Sequence, residues 1–125
     1  MSIRVFLVED FPQGQAALAA LLQELGDFAI VGSATTEAEA NLWILENPDG
    51  WDLAILDLVL EQGTGMGVIA KSRLANASGK IVVFSDYVSP GIRKHCLALG
   101  ADVAIPKSEL PEFISYCLAS LEGAA

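Results

Sequence analysis

In the stretch DLAILDLVLEQGTG, residues 52–65, Asp57 directly follows the four apolar residues Leu53 to Leu56 and precedes three more. A run of this kind reads as a buried strand, where a lone carboxylate is expensive. The expense is offset if the carboxylate stands at the strand's end and meets partners there. Similar runs end in Glu9-Asp10, in Ser85-Asp86 and in Pro106-Lys107. Carboxylates within a few ångströms of one another repel and hold protons more tightly unless a cation joins them. Two carboxylates, a backbone carbonyl and waters are hard oxygen donors that match Mg²⁺, which keeps part of its hydration shell and favours sites that also take a phosphate. The chemistry this suggests is phosphoryl transfer. Asp57 is the nucleophile, Mg²⁺ and Lys107 balance charge on the phosphoryl oxygens, and Ser85 donates a hydrogen bond to one of them.

An α/β frame has to bring these residues together. Short apolar, β-branched runs alternate five times with stretches of helical period, which predicts a parallel sheet with crossover helices. The strands are expected at residues 3–8, 28–33, 52–57, 80–85 and 102–106, the last at an edge because Pro106 cannot donate to a neighbour. In such sheets ligands bind beyond the carboxyl ends of the strands, where the site candidates fall. The first helix starts at Pro12, carries Leu18, Leu21, Leu22 and Leu25, and stops at Gly26. Thr36 with Glu39 forms a capping-box pattern ahead of Ala38, Leu42 and Leu45, expected as the inward residues of the second helix, which NPDG ends. Met66, Ile69, Ala70 and Leu74 indicate the third. Ser89-Pro90 opens the fourth, with Ile92, Cys96 and Leu99 inward and Gly100 closing it. Ser108 is the expected cap of a fifth that buries Phe113, Cys117 and Leu121.

The 125 residues suit one domain, and 53% hydrophobic residues with 18% charged exclude disorder. A net charge of −9 argues against nucleic acid and anionic membrane as partners. The apolar run in MSIRVFLVED is too short for a signal peptide or a membrane span, so the chain reads as cytoplasmic. Cys96 and Cys117 lack metal-site spacing and read as reduced core residues.

FLVED, AILDLVL followed by GTG, VVFSDY and GADVAIPKS, in this order and at these spacings, resemble the receiver domain of bacterial two-component response regulators over about residues 3 to 121. The resemblance implies a flavodoxin-like (βα)5 fold with strand order 2-1-3-4-5. It also implies that Asp57 accepts phosphate from a histidine kinase or histidine phosphotransfer protein. Asp10 is then a direct Mg²⁺ ligand, Glu9 acts through water, and the Val59 carbonyl completes the protein's share. Ser85 and Lys107 contact the phosphoryl oxygens. The chain is expected to be a single receiver domain over 1–125 with no output domain, working through a downstream protein target rather than as a conventional enzyme.

Three positions depart from the family pattern. Ala104 stands where receivers carry the aromatic residue that turns inward when the Ser85 position moves, and Tyr87 is the candidate to occupy part of the vacated space. Glu61 replaces a proline after the phosphoacceptor loop, and Ser108 replaces the proline that commonly follows the lysine. Two rivals follow. A receiver-like adaptor working without phosphorylation is favoured by Ala104 and opposed by the intact Glu9, Asp10, Asp57, Ser85 and Lys107 set. An aspartate-nucleophile hydrolase of the haloacid dehalogenase type needs a second acid where Val59 stands. A homodimer through the fourth and fifth helices is a further alternative, and AALAALL in the first helix is a candidate docking face. GTGMG reads as a flexible turn, since it lacks the lysine of a P-loop. His95 reads as a helix side chain away from the rim, and Trp43 and Trp51 as packing residues.

Overall fold

The computed structural model describes residues 2–123. Its elements alternate as the apolar runs require: β1 (Ile3–Val8), α1 (Pro12–Leu25), β2 (Phe28–Ala34), α2 (Glu37–Glu46), β3 (Leu53–Leu56), α3 (Met66–Ala75), β4 (Lys80–Ser85), α4 (Pro90–Leu99), β5 (Val103–Pro106) and α5 (Leu110–Gly123). All strands pair parallel in the order β2-β1-β3-β4-β5. This is the flavodoxin-like (βα)5 fold expected from the sequence. β3 is shorter than expected, so Asp57 stands one residue beyond the strand, and β5 lies at an edge with Pro106 opposite Ser85.

Strands covered on both faces bury nearly every side chain, and the central β3 and β4 do so apart from Lys80. One core layer joins Phe6, Leu56, Val83 and Ala104 to Ile44, Val68, Ile69 and Cys96 from α2, α3 and α4. The other joins Val5, Leu7, Ile55 and Phe84 to Leu22 of α1 and Phe113 and Cys117 of α5. Both cysteines are free and buried, and no helix among the described residues is long and apolar enough to cross a membrane.

The start signals act largely as read. The Glu39 N–H donates to Thr36 Oγ1 at 3.1 Å, and Glu39 Oε1 reaches back to the Thr35 N–H at 3.1 Å. Ser89 caps α4 by accepting from the Ile92 N–H at 3.2 Å, and Gly100 closes it in the left-handed region at φ 119°. Ser108 does not cap α5. That helix begins at Leu110, and the Glu109 carbonyl accepts from the amides of Glu112 and Phe113.

Two helix faces turn differently from the expectation. Ala38, Leu42 and Leu45 of α2 are exposed, while Ala40 and Ile44 are buried and Trp43 is half-buried. The reason is Trp43: its ring stacks on Phe6 with centroids 4.2 Å apart, over Gly32, where any Cβ would collide with the indole. Placing the largest ring over that gap turns the two leucines outward. On α3 the inward stripe is Val68, Ile69 and Ser72, and Leu74 is 88% exposed, since five residues beyond Ile69 put it about 140° around the helix.

Candidate functional site

The strand ends form one acidic rim. Glu9 and Asp10 follow β1, Asp57 follows β3, Ser85 ends β4 and Lys107 follows β5. Glu9 and Asp57 are 2% and 7% exposed, and Ser85 is fully buried. Asp10 is half-buried, and one oxygen from each of Glu9, Asp10 and Asp57 lies within 4.8 Å of the others. Asp86, also at this rim, is exposed and outside that group.

Each oxygen of Asp57 has its own partner. Oδ1 accepts from the Leu58 N–H at 2.7 Å, and Oδ2 accepts from Lys107 Nζ at 2.8 Å. Lys107 also donates to Glu9 Oε2 at 3.2 Å, so one ammonium bridges two buried carboxylates. β5 positions it: the Lys107 N–H donates to the Ser85 carbonyl at 3.0 Å, which continues the β4–β5 pairing by one residue. The Ser85 Oγ accepts from the Tyr87 N–H at 3.3 Å.

The electrostatics follow from burial with one cation among several acids. Burial, then a shared proton with Asp57 and that residue's charge, push the Glu9 carboxyl up to about 7, with Lys107 pulling the other way. Asp57 moves oppositely. Burial works to raise it, but Lys107, the Ser85 hydroxyl and Glu9 together hold it below the usual carboxylate range. Burial works to lower Lys107, yet Asp57 and Glu9 keep it raised.

A stability prediction follows. A carboxyl raised in the folded state contributes stability below its unfolded value, and that contribution is lost as pH rises through the folded one. In chelator-treated protein the Glu9 contribution should therefore fade between about 4.5 and about 7, while the Asp57 contribution is lost on the acid side, as pH falls below the usual carboxylate range. Urea midpoints should fall from pH 5.5 to 7.5 in the native sequence and stay flatter in Glu9→Gln; equal slopes would contradict the assignment.

Some contributors escape sequence reading. Gln15 Nε2 donates to the Glu9 carbonyl at 2.8 Å and to the Ala34 carbonyl at 3.2 Å, tying the acidic turn to β2. Gly14 costs α1 about 1 kcal/mol against alanine, but a Cβ there would fall 2.9 Å from Glu9 Oε1. The available signal was a glycine in the first turn of a helix directly after an acid pair.

Other expected roles shift. Tyr87 is 61% exposed and is not among the side chains packed on the core layer that holds Ala104. Ala104 is buried opposite Val83 of β4, in the core layer that also holds Cys96 and Ala101. Val59 is exposed, His95 is exposed on α4 away from the rim, and Trp51 is buried as a packing residue. On α1, Leu22 is buried and Leu18, Leu21 and Leu25 are half-buried, leaving Ala16, Ala17 and Ala20 outward. The amide of Glu61, which a proline would lack, donates to the Thr35 carbonyl at 3.3 Å.

The chain belongs to the response regulator receiver domain family, whose model matches residues 5–116. Receiver domains are phosphoacceptor signalling domains of two-component systems. Among characterised relatives, the nitrate/nitrite response regulator protein NarL of Escherichia coli is 31% identical over 108 residues, which cover 86% of this chain and 49% of NarL. The chain spans about half the length of the curated relatives it matches. The fold is shared with a CheY-like response regulator receiver domain protein from Methanospirillum hungatei, at TM-score 0.78 and 24% identity over 100% of both chains. It is shared equally with a response regulator protein from Burkholderia pseudomallei solved with a phosphorylated aspartic acid, a calcium ion and citrate. That match has TM-score 0.80 and 24% identity, covering 98% of this chain and 72% of the other.

Proposed function

We propose that this receiver domain accepts a phosphoryl group on Asp57 from a histidine kinase or histidine phosphotransfer protein, in a Mg²⁺-dependent reaction, and signals through contacts with a downstream protein. The observation that carries this reading is the Asp57 carboxylate itself. It is buried and held ionised at a strand end, with a backbone amide on one oxygen, Lys107 on the other and two further acids beside it.

The residues present fit a hard divalent cation. All the side-chain donors are carboxylate oxygens, two of them buried, and they converge to within 4.8 Å. Asp10, Asp57 and the Val59 carbonyl would hold the cation, with Glu9 contributing through water. Bound there, Mg²⁺ supplies positive charge to the phosphoryl oxygens as they become equatorial. The chain's own residues do the rest. An Asp57 oxygen attacks phosphorus, the new O–P bond forms as the donor's P–N or P–O bond breaks, and the leaving group departs with its electron pair. Lys107 exchanges its ion pair with Asp57 for one with a phosphoryl oxygen, and the Ser85 hydroxyl donates to another.

Intact mass after incubation with acetyl phosphate and Mg²⁺ tests this. A gain of one phosphate that disappears in Asp57→Ala and in a chelated control supports the reading. No gain, with no Mg²⁺ bound by titration, supports instead a phosphorylation-independent adaptor, the alternative favoured by the alanine at position 104. Once formed, the phospho-form is expected to persist for minutes or longer. Val59 and Tyr87 flank Asp57 and Ser85 in the chain, both are exposed, and neither carries an acid or amide to orient an attacking water. Decay within seconds in a quenched time course would contradict this.

A further inference from the structure

α3 begins without a cap of its own. Gly65 holds the N-cap position, no side chain there accepts a hydrogen bond, and its first turn contains no acid. A helix start normally needs an acceptor for its free amides and gains from negative charge. Here the nearest negative charge comes from another helix, whose carboxylate holds the loop one residue before that start. Glu37, the first residue of α2, accepts the Thr64 N–H on Oε1 at 2.8 Å. Its carboxylate also lies over Gly67 in the first turn of α3, where any Cβ would collide with Oε2.

The ties extend along the loop that follows Asp57. The Glu37 N–H donates to the Gln62 carbonyl at 3.0 Å, and the Glu61 N–H donates to the Thr35 carbonyl. Gly63, at φ 81°, takes a left-handed turn directly beneath Glu37, where a Cβ would stand 2.5 Å from that residue's own Cβ. Thr64, held by the carboxylate, pairs with Val59 in an isolated antiparallel bridge, and the Gly65 N–H donates to the Leu58 carbonyl at 3.0 Å. The segment 58–65 is therefore closed on itself and fastened at its outer end to α2, while its inner end supplies the Leu58 amide that holds Asp57 Oδ1.

We infer that Glu37 is a positioning residue for the Asp57 site: from the start of α2 it fixes the loop that presents the Leu58 amide and the Val59 carbonyl. This rests on the function proposed above, since it gives the Val59 carbonyl its role toward the cation. The test uses the full chain and reads Mg²⁺ affinity by calorimetry beside backbone amide exchange over 58–65. Glu37→Ala should exchange faster at Glu61 and Thr64 and bind Mg²⁺ about tenfold more weakly, the lower end of what losing an outer support costs a metal site. Glu37→Gln keeps an oxygen that can accept from Thr64 and should stay within about threefold of the native affinity, most of the outer support being retained. Ser89→Ala, which removes the cap of α4 and so destabilises a different helix start, should leave Mg²⁺ affinity unchanged. Native affinity in Glu37→Ala, or an equal loss in Ser89→Ala, would overturn the positioning role. A native chain that binds no Mg²⁺ would overturn the proposed function itself and this role with it.

Discussion

Lys107→Met is expected to slow phosphate uptake at Asp57 at least about a hundredfold, the loss typical of removing one preorganised charge stabiliser. The same change should make the stability of the cation-free protein fall with pH through and beyond neutrality. Methionine keeps the length and the apolar stem but removes the ammonium that bridges Asp57 Oδ2 and Glu9 Oε2. Breaking a fully buried pair leaves an uncompensated charge at a cost of about 3–5 kcal/mol, and because Lys107 is 27% exposed we expect the lower figure or somewhat less. With the ammonium gone, the opposition that keeps Glu9 near 7 is lost and so is the main hold on Asp57. Both carboxyls then bind protons more tightly folded than unfolded. Stability is greatest in acid and declines as pH rises, by up to about 1.4 kcal/mol per unit for each proton released. Urea titrations with chelator at several pH values would show the steeper decline, and added Mg²⁺ should restore much of the loss. A stability profile parallel to that of the native chain would show that Lys107 does not control the pair.

The outcome for Lys107 depends on a rim that could be read from the chain, because each of its residues directly follows an apolar run that only a buried strand explains. Asp57 after Leu53–Leu56, Glu9 after β1 and Lys107 after Pro106 are brought to one end of the sheet by parallel pairing alone. The supports of that rim were less legible because they join elements distant in sequence. Nothing near Glu37 reveals that its carboxylate holds the loop before α3, and nothing near Gln15 reveals two carbonyls waiting just past β1 and at the end of β2. Helix faces failed for a different reason. α2 has two apolar stripes, and the choice between them was made by Gly32, whose missing side chain admits Trp43 against Phe6. The sequence pattern weighed the leucines by number, while the fold weighed the fit of one indole ring.

Gly65→Ala should damage stability and chemistry together. Gly65 has φ −65° and ψ −22°, a backbone conformation any residue adopts, so its need for glycine is a need for space. A Cβ there would run into the Asp57 carbonyl oxygen and stand 2.9 Å from the Asp57 carbonyl carbon and 3.2 Å from the Leu58 Cα. These are backbone atoms and cannot rotate away. The Gly65–Leu58 hydrogen bond must break or the loop must move, at about 3 kcal/mol, the upper part of the range for overpacking. Either response displaces the peptide that follows Asp57 and with it the Leu58 amide that orients Oδ1, so phosphate uptake should fall at least about tenfold. Trp51→Leu supplies the comparison. Trp51 is fully buried before β3, at the opposite end of the sheet, and its truncation should cost about 3 kcal/mol by leaving a cavity. Unfolding midpoints and mass gain should therefore separate the two variants: similar loss of stability in both, loss of phosphate uptake only in Gly65→Ala. Equal loss of uptake would mean that the chemistry depends on the stability of the whole domain, and equal retention would mean that the loop after Asp57 adapts to a methyl group without moving the nucleophile.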